Sequence, residues 1–156
     1  MKKKILILAL ILTLFAVFSA SAYQAAIGGE FALRLANGLP SSALLSFRIP
    51  KLPPVFGVGV SIPEGGDASF ALIADWWLAQ GNLFSFINYY IGPGLYIAVS
   101  QEATAGIRVP IGLNAYPMKP LEIFIEFAPA VGLLAPSGVQ IPQWGLQAGF
   151  GFRFWF

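Results

Sequence analysis

Gln143-Trp144-Gly145-Leu146-Gln147-Ala148-Gly149-Phe150-Gly151-Phe152-Arg153-Phe154-Trp155-Phe156 sorts into two unlike faces when every second residue is taken. One face carries Trp144, Leu146, Ala148, Phe150, Phe152, Phe154 and Phe156. The other carries Gln143, Gly145, Gln147, Gly149, Gly151, Arg153 and Trp155. Period-2 alternation is the mark of a β-strand whose two faces meet different surroundings. A row of four phenylalanines turned to water would be an aggregation hazard, whereas the same row is stable against lipid. An ordinary sandwich strand would also bury such a face. The lipid reading is preferred because the rest of the chain repeats the pattern.

Seven further segments alternate in the same way. They run Tyr23–Leu35, Ser41–Ile49, Val55–Ile62, Ala68–Trp77, about Phe86–Ser100, Ala105–Tyr116 and Leu121–Leu133. Their apolar faces include Ile27, Phe31 and Leu33; Leu45 and Phe47; Phe56 and Val58; Phe70, Leu72 and Trp76; Ile97; Ile107; and Ile123, Ile125 and Phe127. Turn chemistry separates the segments: Asn37-Gly38, the prolines at 50, 53 and 54, Glu64-Gly65-Gly66-Asp67, Ala79 to Asn82, Gln101 to Thr104, Pro117 to Pro120 and Ala135 to Pro142. Eight alternating segments of about ten residues with short connections predict an all-β fold, an eight-stranded antiparallel up-and-down transmembrane β-barrel. Pro93, Pro110 and Pro129 fall inside segments, where each removes a ladder donor, so bulges or strand ends are expected there.

Charge is scarce and segregated. Only 10% of the residues are charged, against about 25% in soluble domains. Glu30, Arg34, Arg48, Asp75, Arg108, Glu122, Glu126 and Arg153 all fall on the faces opposite the apolar ones. Lys51, Glu64, Asp67, Glu102 and Lys119 fall in turns. Lysine or arginine at the lipid midplane would cost about 2–4 kcal/mol, which this arrangement avoids. The eight inner charges balance in sign, and buried charges must be paired. With Trp77, Tyr90, Tyr96, Tyr116, Phe124 and Trp155 beside them, they predict a salt-bridged, aromatic-packed plug. Glu30, Glu122, Glu126 and Arg153 are expected to lie closest together, because the first, seventh and eighth strands become neighbours on closure.

Residues 1–22 read as a cleavable export signal, expected to be helical: Lys2-Lys3-Lys4, an apolar run from Ile5 to Phe18, then Ala20-Ser21-Ala22. Residues 23–156 would form the barrel domain. The apolar run is short for a membrane-spanning helix, and no later run is long enough. Closed barrels are the other structure that satisfies the backbone in hydrocarbon. The absence of cysteine excludes disulfides, and loss of the three lysines with the signal leaves no basic patch for nucleic acid.

Over residues 23–156 the chain resembles the small OmpA/OmpX-type barrels of bacterial outer membranes. The resemblance rests on the alternation, the export signal and the aromatic C-terminal strand. It implies an integral outer-membrane location after export, a lipid surround and a monomer. It also implies that Phe150, Phe152, Phe154 and Phe156 are read as an insertion signal by the barrel-assembly machinery. Both termini would be periplasmic, with turns near Lys51, Asn82 and Lys119 on that side and those near Asn37, Glu64, Glu102 and Ser137 outside. The outward loops are shorter than those of adhesive members, and no periplasmic domain is appended.

The leading expectation is a structural or surface-exposed protein without catalysis, cofactor or metal. The alternative is a narrow channel or a carrier of small apolar molecules, with Gly57, Gly59, Gly92, Gly94, Gly149 and Gly151 lining a crevice. A barrel lipase or acyltransferase would resemble its relatives in pairing serine with histidine, and the chain has no histidine to activate a nucleophile. A soluble lipocalin-like barrel would reverse the faces.

Overall fold

The computed structural model describes residues 24–36, 40–62, 68–99, 103–134 and 143–156. The expected export signal and the turns at 37–39, 63–67, 100–102 and 135–142 lie outside the described residues. Eleven strands form: β1 Ala26–Arg34, β2 Ser41–Arg48, β3 Pro54–Ile62, β4 Ser69–Trp76, β5 Ala79–Phe84, β6 Ile87–Ile91, β7 Gly94–Val99, β8 Ala103–Arg108, β9 Ile111–Met118, β10 Leu121–Leu134 and β11 Gln143–Trp155. No helix occurs among the described residues.

Neighbouring strands are antiparallel, and the ring β11–β1–β2–β3–β4–β7–β8–β10 closes through the pairing of β10 with β11. The fold is therefore a closed eight-stranded antiparallel barrel. Three of its staves are interrupted: β4 continues as β5, β6 as β7, and β8 as β9. Register around the ring runs Ala26–Arg48–Val55–Asp75–Gly94–Arg108–Ala130–Gly145. Gly145 lies two residues before Gln147, the partner of Arg34. The ring thus returns to β1 about ten residues from its start, the stagger that closure of tilted strands requires.

The interruptions have local causes. Gly94 pairs with Arg108 and Ile91 with Ile111, so the break at Gly92-Pro93 and Val109-Pro110 keeps register. It interrupts the ladder because proline has no N–H to donate. Trp76 N–H donates to the Pro93 carbonyl at 2.9 Å, Gly92 N–H to Pro110 at 3.3 Å and Val109 N–H to Pro129 at 2.9 Å. Each proline accepts a bond that it cannot return. Pro93 and Pro110 sit at strand breaks. Pro129 remains inside β10, paired with Leu146.

At Trp77-Leu78 the cause is different. Four steps from Asp75 to Ala79 face three from Gly94 back to Ile91, so one extra residue is inserted as a bulge. Asp75 and Trp77, on either side of Trp76, both reach the interior. Trp76, expected on the outer face, lies on the face opposite theirs and is 8% exposed. Ala79 to Asn82, read as a turn, is strand β5, and the chain reverses at Ser85-Phe86, where Ser85 has φ 50°. Strand β9 likewise runs through Pro117 to Met118, leaving Lys119-Pro120 as the turn.

Elsewhere the two faces separate as alternation dictates. Phe31, Leu45, Phe70, Ile125 and Phe150 are exposed, while Ala32, Leu44, Ala71, Phe124 and Ala128 are buried. Inside, small and large residues are matched. A side chain at Gly112 would enter the Tyr90 ring, and one at Gly151 would meet the Phe124 ring. Gly112→Val should therefore cost about 1–3 kcal/mol by overpacking, read by urea unfolding in micelles. Gly29→Ala, whose methyl would meet Phe152 at an ordinary 3.5 Å, should change stability little.

Candidate functional site: the charged core of the barrel

The ionisable residues on the inner faces gather around two arginines. Arg153, on β11, lies between β1 and β10. Its Nη2 is 3.5 Å from Glu30 Oε2, and its Nη1 is 3.5 Å from Glu122 Oε2. Its Nε donates to Ser46 Oγ at 2.8 Å. Its guanidinium also lies 3.8 Å from the centre of the Phe124 ring, within cation–π range. Glu122 accepts two further bonds, from Trp155 Nε1 at 2.7 Å and from Asn114 Nδ2 at 2.5 Å.

Arg108, at the end of β8, organises the second group. Its Nε is 3.3 Å from Asp75 Oδ1, its Nη2 contacts Glu126 Oε1, and its Nη1 donates to Gln147 Oε1 at 3.3 Å. Tyr90 donates its hydroxyl proton to Glu126 Oε2 at 2.8 Å. Gln147 in turn donates to the Pro40 carbonyl at 2.7 Å. Arg108, Arg153, Glu30 and Glu122 are at most 2% exposed. Buried guanidiniums are held best where the planar fork meets several acceptors, and both have that here.

Six of the eight expected charges thus meet inside the ring. Glu126 is not beside Arg153 but on Arg108, because the stagger of the strands carries β8 up to the second half of β10. Arg48 is buried at one end, where it donates to the Pro53 carbonyl at 3.2 Å. Its guanidinium is 5.4 Å from the Trp77 ring centre and 5.6 Å from that of Trp155. Arg34 is half-buried at the far end of β1. Trp77 stacks on Tyr90 with centroids 4.3 Å apart. The neutral partners Ser46, Asn114 and Gln147 were not singled out as site residues. The available signal was their position on the charged face of each strand.

The core leaves little space. Side chains of Ile73 and Leu44 occupy the room opened by Gly57; Asp75 and Arg108 that by Gly94; Glu126 that by Gly149; and Phe124 that by Gly151. A cavity of about 20 Å³ between Ala32, Ser61, Tyr96 and Arg108 has room for a single water. The chemistry the arrangement supports is mutual neutralisation. Phe150, Phe152, Phe154 and Phe156 lie on the opposite face of β11 and are exposed.

Arg108→Met strands Glu126 and Asp75 without their cation and should cost about 3–5 kcal/mol in urea unfolding. The triple change Arg108→Met, Glu126→Gln and Asp75→Asn should recover most of that loss. Comparison with family models, with curated proteins and with solved structures gives no match to this chain.

Proposed function

We propose that the chain is an integral outer-membrane β-barrel protein, structural or surface-exposed, with a plugged lumen and no catalysis. The observation that carries this reading is the inverted distribution of polarity. Large apolar side chains project from every stave, including Phe31, Leu45, Val60, Phe70, Leu95, Ile107, Ile125 and Phe152. Among the described residues, the exposed charged side chains are Lys51 and Lys119, both in turns. A continuous apolar girdle of this extent is an interaction surface rather than a solvent-facing one. Closed barrels with an outward apolar band are how β-structure crosses a bilayer.

The other expectations follow from that placement. Residues 1–22 would direct export, and lipid would be the principal partner of the barrel. The exposed phenylalanines of β11 would serve as the feature that the assembly machinery grips during insertion. The filled interior weighs against a channel or carrier, since each glycine gap is occupied by a neighbouring side chain or backbone. The absence of histidine from the chain weighs against serine–histidine acyl chemistry.

Refolded protein in a planar bilayer should give no discrete conductance steps, and it should migrate differently on denaturing gels before and after boiling. Phe127→Arg, at the middle of the girdle, should cost about 2–4 kcal/mol in vesicle-embedded protein. A substitution there that costs nothing, or a chain that stays dispersed without detergent, would overturn the reading.

A further inference from the structure

One end of the barrel holds an open cleft that adjoins the charged core and shares Trp77, Tyr90 and Asn114 with it. β3 begins at Pro54, which pairs with Trp76, while the neighbouring stave continues past the bulge as β5. β5 pairs with β6 alone, β6 with β9 and β9 with β10, so this part of the wall projects past the start of β3. Its inner side encloses a cleft of about 260 Å³ lined by Trp77, Gln80, Asn82, Asn88, Asn114 and Tyr116, with Tyr89, Tyr90 and Gly81 completing it.

The lining has a distinct chemistry. It contains four side-chain amides and four aromatic rings, and no ionised side chain. Several of the amides are held in place. Asn82 Nδ2 donates to the Ser85 carbonyl at 2.9 Å and to Asn88 Oδ1 at 3.1 Å. Asn114 Nδ2 is engaged by Glu122. Those bonds leave Asn82 Oδ1 and Asn114 Oδ1 as acceptors and Asn88 Nδ2 as a donor. Gln80 offers both kinds of group, and its amide makes no side-chain hydrogen bond among the described residues. Fixed amides present donors and acceptors side by side, which is the pattern that vicinal hydroxyl groups satisfy. Tyr116, on the face of β9 that carries Asn114 and more than a third exposed, adds an apolar ring face with a polar tip. A charged ligand would find no counter-ion in the lining.

We propose that this cleft binds an uncharged polyhydroxylated group, a sugar ring, by amide hydrogen bonds with the Tyr116 ring face against its C–H surface. The sugar comes either free or as the headgroup of an uncharged glycolipid. The proposal draws on the core only through Asn114, which Glu122 orients. The cleft is at the small end of ligand sites and open on one side, so affinity should be modest, a Kd of about 1–10 mM.

The test uses the chain refolded in polyoxyethylene detergent micelles, titrated with methyl glucoside and methyl N-acetylglucosaminide while tryptophan emission is followed. A saturable change with at least one glycoside is expected. Gln80→Leu and Tyr116→Ala should each weaken it about tenfold, while both variants keep their heat-dependent gel shift. Gluconate and inorganic phosphate should give no saturable change. The same titration with vesicles carrying an uncharged glucolipid separates the sources: tighter binding than to the free glycoside marks a headgroup site, equal binding a free-sugar site. No saturable response to either glycoside overturns the proposal, as does an unaltered response in both variants or an equal response to phosphate. Loss of the gel shift in the parent protein would count against the barrel and not against the cleft.

Discussion

Two guanidinium groups hold four carboxylates together on the axis of this barrel, and much else in the structure is arranged so that they can. Arg153 reaches strands on both sides, Glu30 on β1 and Glu122 on β10; Arg108 reaches Asp75 on β4 and Glu126 on β10. A slip of one residue in any of these strands would turn its charge to the outer face. The ion pairs therefore act on register as much as on stability. Buried pairs often contribute little net free energy relative to an apolar core. Their value here is that a wrong register removes one partner and leaves the other charge buried and unpaired.

The glycines and the aromatics serve the same end. A ring of eight staves has an interior just wide enough for side chains. Arginine, glutamate, tyrosine and phenylalanine fit there only where a facing position has no side chain. Gly94 lies against Arg108 and Asp75, Gly149 against Glu126, Gly112 against Tyr90 and Gly151 against Phe124. Glycine opposite a large residue is thus the packing rule of the core. It accounts for a glycine-rich inner face without a crevice.

The sequence made the two faces and the eight staves legible because alternation reports orientation directly, and a charge on the wrong face would have been conspicuous. Local surprises came where a turn signal and a strand competed. Ala79-Gln80-Gly81-Asn82 has the composition of a turn, yet tertiary pairing with β6 keeps it extended, and the reversal falls on Ser85. The bulge beyond Trp77 was not legible, because a bulge is one added residue and alternation cannot reveal which residue is the added one. The partner of Glu126 was not legible for a longer-range reason. Which charges meet depends on the stagger around the whole ring, a quantity fixed only when all eight pairings exist together.

The prolines give the wall an uneven texture. In a hydrogen-bonded antiparallel pair the two residues exchange two bonds, but Trp76 with Pro93 and Val109 with Pro129 can exchange only one. Those single-bond rungs lie side by side across neighbouring staves, next to the bulge at Trp77-Leu78. Cooperative units open where the ladder is thinnest. The β5–β6–β9 segment therefore meets β4, β7 and β8 across a perforated line, while β9 stays laddered to β10. Amide protons along that line have fewer ladder partners to protect them from solvent exchange than those of the unbroken β1–β2–β3 wall.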